Sequence, residues 1–398
     1  MSLELEKLLL PPVQQFIREH ERDDPYQLAL QAHRYPEYPI PAIAEQIQAW
    51  QKARPKLPEW YATEGIVFPL VLSMEQCSSQ ATAQYKQSLV QGQRLIDLTG
   101  GAGVDTYYLS QSFSQTDYVE QDATLADTAR HNFSVLGAND IQTYSTTAEA
   151  FLKTIIKPVD CIYLDPARRD AQGGKVFRLT DSQPDVLMLR DTLLSKAKTV
   201  LLKTAPLLDI QATLQDLVYV MQVHVVAVGN EVKEVLYLLS QEASEEPEII
   251  TVNLSTNKDN QQSFSFYRSQ EAQAEVTYSP PLRYLYEPNA ALMKAGAFRS
   301  VAAYFDLYKL HPNTHLYTSE QLLPHFPGRV FICQAVVPYQ KKAVRRQLAQ
   351  PQANITTRNF PDSVAQIRKK LGLKDGGNTY LFAAQLVDEK YSIIVAHK

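Results

Sequence analysis

The chain has 398 residues, 39 of them Lys or Arg and 43 Asp or Glu, for a net charge of −4. That is an ordinary balance for a globular chain of roughly two to four domains. No apolar run approaches the length of a bilayer span. Cys77, Cys161 and Cys333 have neither disulfide-framework nor metal-ligand spacing. The opening MSLELEKLLL carries acids and does not read as a signal peptide. A cytoplasmic protein without a metal is expected.

Residues 1 to 88 read as a helical region. Asp24 is an N-cap with Pro25 at the first helical position, and Ile43, Ile47 and Trp50 share one helix face. Ser79 is placed to cap a short helix through Lys86, just before the first core strand. From 89 to 245 strands and helices alternate as in an α/β domain. Strands are predicted at 94–98, 116–120, 141–144, 159–164 and 199–203. Helices are predicted at 104–112, 124–136, near 148–155 and from about Pro184 to Lys196. Two further β-rich runs surround Gly229-Asn230, as an edge hairpin would.

The informative stretch is RLIDLTGGAGVD, Arg94 to Asp105. An apolar strand ends in Asp97 and turns through Gly100, Gly101 and Gly103 into an apolar helix. Glycine lets the backbone turn sharply and a ligand approach it, and the N–H groups opening the helix favour an acidic or hydrogen-bonding ligand group. The next strand ends in Glu120, placed to grip ribose hydroxyls. The fourth runs into Asp165-Pro166-Ala167-Arg168-Arg169. A dinucleotide fingerprint wants a third glycine where Thr106 stands, and does not ask for an acid ahead of the loop. The combination from about 90 to 240 resembles class I S-adenosylmethionine-dependent methyltransferases. That resemblance implies a Rossmann-like, seven-stranded α/β core. It carries over Asp97, Thr99, Gly101, Gly103, Glu120, Gln121, Thr147, Ala148 and Asp165 as contacts to S-adenosylmethionine, and Asp165, Pro166 and Arg168 as the methyl-transfer corner. Gln76, Ser78 and Lys86 are placed to touch the cofactor or to serve as cap and surface residues.

Two positions depart from the family pattern. Methyltransferases of exocyclic base amines usually have an aromatic as the fourth residue of this corner, to stack a flipped base; here it is Arg168. Arg168 and Arg169 suit a phosphate or base edge, or a bracing role against Asp165, Asp170 or Asp181. Near the end of the third strand, where an acid commonly meets the adenine ring, stands Thr147, with Glu149 as a substitute. The loop 171–177 is read as a lid.

After residue 245 the character changes. Ile249–Leu254 and Ser263–Arg268 read as paired strands, about 290–308 as a helix, and His311 and His315 as loop residues around Pro312-Asn313. Residues 246–325 form a connecting domain and 326–398 a small α+β domain. From Phe326 to Lys398 there are 12 Lys and Arg against 4 Asp and Glu, while the rest carries 27 against 39. A basic end on an acidic body suggests a polyanionic partner, although most charge runs are solvated faces.

KLPEW, EQCSSQATAQYK, DLTGGAGVD, LDPARRD, KTAPLLD, YEPNAALMKAGAF and TTRNFPDSVAQIRKKLGLKDGG together resemble, over nearly the full length, bacterial methyltransferases with a ferredoxin-like insert and a C-terminal THUMP-like domain. An RNA substrate, tRNA or rRNA, is implied, with Lys341, Lys342, Arg345, Arg346, Arg358 and Lys369 as its contacts. The alternatives are an RNA-binding protein without turnover, and a methyltransferase acting on a protein or small molecule.

Overall fold

The computed structural model describes residues 3–69, 71–168, 179–255 and 261–398. Arg169 and the loop 171–177 lie outside the described residues, as does the side chain of Arg168. Two compact units emerge, one of residues 1–222 with 234–245, the other of 223–233 with 246–398.

The first unit opens with helices. Asp24 caps Pro25–Leu30 by accepting from the N–H groups of Tyr26 (2.9 Å) and Gln27 (3.3 Å). The long helix Ile40–Lys56 buries Ile43, Ile47 and Trp50 on one face, as its periodicity predicts. These residues share one core with Trp60, Phe68, Val104, Tyr107, Tyr108 and Phe133. Each large side chain so buried contributes roughly 1.5–3 kcal/mol, so the helical region is packed as part of this unit. The helix Gln80–Gln87, capped by Ser79, leads into the first strand.

The strands that follow are β1 (Gly92–Asp97), β2 (Phe113–Glu120), β3 (Ile141–Ser145), β4 (Val159–Leu164), β5 (Ala167–Arg168), β6 (Ser182–Gln183), β7 (Ala197–Thr204), β8 (Val220–Val228) and β9 (Glu231–Leu239), of which β8 and β9 are divided between the two units. Hydrogen-bonded neighbours run β3-β2-β1-β4-β7-β9-β8. The first five are parallel, and β9 is antiparallel to β7. The Rossmann-like α/β core is therefore present, these seven strands being part of a nine-stranded sheet. Its chain order reverses between β1 and β4, and ligands of such sheets sit at the carboxyl ends of strands beside that reversal. The short β5–β6 pair carries the chain away from the end of β4. The hairpin turn has Gly229 at φ +58° and Asn230 at φ +69°, the left-handed pair that a two-residue turn requires.

In the second unit β10 (Glu248–Leu254) pairs antiparallel with β11 (Gln262–Phe266). A seven-stranded sheet is built from β12 (Tyr284–Pro288), β13 (Tyr308–His311), β14 (Thr314–Ser319), β15 (Gly328–Pro338), β16 (Asn354–Arg358), β17 (Thr379–Gln385) and β18 (Tyr391–His397), in the order β13-β14-β12-β15-β18-β17-β16. Two expectations are corrected here. The helix read over 290–308 is two short helices, Ala290–Ala295 and Ser300–Tyr304. Gly296 at φ +79° ends the first as a left-handed C-terminal cap does. His311 and His315 belong to strands β13 and β14, with only Pro312-Asn313 forming the turn between them. Among the described residues no helix is long and apolar enough to cross a membrane.

Candidate functional site

At the switch point β1 ends in Asp97, which is 1 % exposed. One carboxylate oxygen accepts from the Thr99 N–H (2.9 Å), the other from the Thr106 hydroxyl (2.6 Å). Thr106 is the residue that replaces a third glycine, and this bond is the reason a hydroxyl suits the position. Burial pushes the Asp97 carboxyl up to about 7, against the pull of those two donors.

The loop that follows is fixed by three glycines for three reasons. Gly101 at φ +52° and Gly103 at φ +79° adopt left-handed backbone. A Cβ at Gly103 would lie 2.8 Å from the Phe133 ring, and one at Gly100 would lie 2.1 Å from Tyr118. A Cβ at Gly101 would meet nothing nearer than 3.8 Å, so the loop is open on that side. Tyr118, buried under the loop, donates its hydroxyl to the Gly101 carbonyl (2.7 Å). Sequence reasoning misses this prop; its one signal is an aromatic two residues before the strand-terminal acid.

Glu120, half-buried at the end of β2, accepts from the Gly101 N–H (2.9 Å) and the Asp122 N–H (2.8 Å). Across the switch point the Asp165 N–H donates to the Thr99 hydroxyl oxygen (2.6 Å), joining the end of β4 to the glycine loop. Asp97, Thr99, Gly101, Gly103, Glu120 and Asp165 are thus brought together. Gln121 is exposed beside Glu120. Thr147 is the N-cap of the helix Ala148–Leu152, accepting from the Ala150 N–H (3.2 Å). A threonine there serves the helix start, and Ala148 behind it is buried while Glu149 is exposed.

Behind the Asp165 corner lies a buried ionic cluster. Asp165 and Lys203 sit at neighbouring ends of β4 and β7, one residue past the Leu164–Leu202 pair, and Lys203 Nζ reaches Asp165 Oδ2 at 2.5 Å. Lys203 also lies 4.0 Å from Asp105. Asp105 accepts from the hydroxyls of Ser78 (2.8 Å) and Tyr163 (2.7 Å). Lys86 is completely buried; it donates to both oxygens of Glu234 (2.7 and 2.8 Å) and to Ser78 (3.0 Å), with Asp105 at 3.2 Å. Lys86 and Ser78 are therefore committed to this buried cluster and are not surface residues. Burial opposes the charge on Lys203, yet Asp165, Asp105 and Glu234 overcome it and hold its pKa above the ordinary lysine value. Burial likewise opposes ionised Asp105, but Lys86 and Lys203 hold its pKa below the ordinary value.

The basic residues of the second unit separate by exposure. Val344, Ile367 and Leu371 are buried in one core, which turns Lys341, Lys342, Arg345, Arg346 and Lys369 to the surface. Arg345 also donates to the Gly372 carbonyl (3.3 Å). Arg358 is engaged differently: it donates to Glu287 (3.0 Å), a buried acid that also pairs with Arg329. Among the described residues no group of three or more His, Cys, Asp or Glu forms a metal-holding set.

Residues 284–327 match the family described as a ferredoxin-like domain, and residues 328–398 the family described as THUMP domain-like. Among curated proteins no relative matches the chain. Among solved structures, a Porphyromonas gingivalis W83 protein assigned as a methyltransferase is 34 % identical with a TM-score of 0.89, each chain covered in full. A Streptococcus mutans protein assigned as a methyltransferase, solved with SAH, is 12 % identical with a TM-score of 0.31, over 40 % of this chain and 95 % of that one. A likeness that low bears no weight on the site. The full-length match at 34 % identity does: the chain belongs to the methyltransferase family with ferredoxin-like and THUMP-like domains.

Proposed function

We propose that the chain transfers a methyl group from S-adenosylmethionine to RNA. The observation that carries the cofactor half is the Glu120 carboxylate held against the open side of the glycine loop by the Gly101 N–H. A half-buried carboxylate at the end of β2 is an acceptor for two ribose hydroxyls, and a loop without a Cβ at Gly101 admits a ligand close to its backbone. Bound there, S-adenosylmethionine would supply an electrophilic methyl on a sulfonium. The protein's part is alignment: Thr99 ties the Asp165 backbone to the loop, so acceptor corner and cofactor cradle move as one body. Arg168 belongs to that corner in this reading, through the resemblance alone.

Glu120→Ala is expected to weaken S-adenosylmethionine binding about 100-fold, from the loss of roughly 3 kcal/mol of charge-assisted hydrogen bonding. Titration calorimetry on the purified chain checks this, and unaltered heats would remove the cofactor assignment.

The RNA half rests on the exposed cations Lys341, Lys342, Arg345, Arg346 and Lys369 within the THUMP-like residues. Changing Lys341, Lys342, Arg345 and Arg346 together to Gln is expected to reduce the salt dependence of RNA binding. The slope of log K against log salt should shrink by about 3, at roughly 0.7–0.9 for each phosphate that is no longer neutralised. Filter binding of total tRNA and rRNA at salt concentrations from about 50 to about 300 mM measures it; an unchanged slope makes these residues a solvated face.

A further inference from the structure

Resting on that reading, we infer that the atom methylated is a hydroxyl oxygen, in RNA the ribose 2′-hydroxyl, with Lys203 and Asp165 as the catalytic pair. The members of the ionic cluster are unequally exposed. The side chains of Lys86 and Glu234 are 0 % and 2 % exposed, whereas Asp165 is 35 % and Lys203 11 % exposed. Lys86 and Glu234 form the buried support; Asp105, at 10 %, is as shielded as Lys203. What sets Lys203 apart is its contact with Asp165, the most exposed member and the one that meets an incoming group. Among the described residues Lys203 takes one oxygen of Asp165, Oδ2, and Oδ1 is the atom assigned to accept a proton.

The sign of the charge chooses among acceptors. A nitrogen attacking a methyl carbon develops positive charge, and an ammonium 2.5 Å from the accepting carboxylate opposes that. A hydroxyl oxygen losing its proton develops negative charge, and the same ammonium, itself 11 % exposed, stabilises it. An aromatic carbon acceptor calls for a covalent nucleophile, and neither thiol of this unit supplies one. Cys161 is buried within β4, its pKa pushed up to about 12 by that burial. Cys77, which feels the charges of Asp105 and Lys203, donates to the Met74 carbonyl (3.3 Å) and has its pKa raised by burial. Two lysines would also repel a sulfonium. Three carboxylates, Asp105, Asp165 and Glu234, outweigh them and keep the corner hospitable to a cation.

In the transfer step the acceptor oxygen attacks the methyl carbon from the side opposite sulfur. An O–C bond forms, and the C–S bond breaks with its electron pair going to sulfur. The sulfonium becomes a neutral thioether, and the hydroxyl proton passes to Asp165 Oδ1 and then to water. Lys203 keeps its proton throughout.

The test uses the full chain, methyl-tritiated S-adenosylmethionine and total RNA from a strain deleted for the gene. Labelled RNA is cleaved with alkali, which cuts only where a free 2′-hydroxyl can attack the neighbouring phosphate. Label in alkali-stable dinucleotides is the expected result. Label in mononucleotides overturns the hydroxyl acceptor and leaves the methyltransferase reading standing. Calorimetric binding of S-adenosylmethionine without label in any RNA overturns the ribose acceptor but not the cofactor site; neither heat nor label overturns both. Lys203→Gln should cut label transfer by about 100-fold while S-adenosylmethionine affinity stays within about threefold, and Lys203→Arg should recover part of the transfer. Full transfer by a folded Lys203→Gln protein, judged by that retained affinity, overturns the role given to Lys203.

Discussion

Replacing Lys86 with Met is expected to destabilise the first unit by about 3–5 kcal/mol, among the largest effects of any single change in the chain. Lys86 is fully buried, with Glu234 taking two of its hydrogen bonds and Asp105 standing at 3.2 Å. Met fills nearly the same volume, so the packing penalty is small and the cost is electrostatic: two carboxylates remain where water cannot reach them. Burial already raises the Glu234 pKa in spite of Lys86, so without the lysine this group takes up a proton in the folded state. A folded pKa raised further above the unfolded one gives stability that is present at low pH and lost as pH rises. The Lys86→Met penalty is therefore smaller near pH 5 than near pH 8. Both tryptophans, Trp50 and Trp60, are buried in this unit, so urea unfolding followed by their fluorescence reports it directly. Glu234→Gln in the Lys86→Met background should recover part of the loss, a coupling that independent sites would not show. A penalty below about 1 kcal/mol would mean that the cluster is solvated after all.

That network marks the limit of what the sequence discloses. Asp97, the three glycines, Glu120 and Asp165 were legible because each ends a short apolar run, and the reversal of strand order gathers such ends in one place. Lys86 and Glu234 are 148 positions apart. Nothing local to either announces the other, because their meeting depends on β9 entering the sheet beside β7. Nor does any local pattern mark Lys203 as the partner of Asp165, because that contact requires the β4–β7 register. Thr147 shows a different gap. Its place in the chain suggests a cofactor contact, while its hydroxyl is used to cap a helix, and capping leaves the same short polar signature as binding. In the second unit, counting cations revealed the basic surface but not that Arg358 is committed to Glu287, because a sequence gives charge without its partner. The helix read over 290–308 failed at Gly296, a residue whose use as a left-handed stop shows only in the backbone.

Asp97 should make the first unit lose stability as pH rises from about 4 to about 7, and Asp97→Asn should remove that dependence. The carboxyl is pushed by burial up to about 7 from 3.8, so the folded state keeps a proton over a range where the unfolded state has released it. Between those values the folded form binds more protons, and stability falls with increasing pH. At about 1.4 kcal/mol per unit, the full swing is roughly 4 kcal/mol. Above about pH 7 the carboxylate is ionised in a 1 % exposed site, held by the Thr99 N–H and the Thr106 hydroxyl. Asn can still accept from the Thr99 N–H and can donate to the Thr106 oxygen, so the loop geometry survives. Measured by tryptophan fluorescence in urea from about pH 4.5 to about pH 8, Asp97→Asn should gain on the parent steadily as pH rises. A difference that stays constant across that range would show that Asp97 titrates as an ordinary carboxylate, already ionised throughout. The same charge state bears on the site, because an ionised Asp97 adds a negative charge beneath the glycine loop, and a cationic ligand is then held more tightly above about pH 7 than below it. Calorimetry with S-adenosylmethionine about one pH unit below and one above that midpoint should therefore show tighter binding at the higher pH for the parent and no such gain for Asp97→Asn.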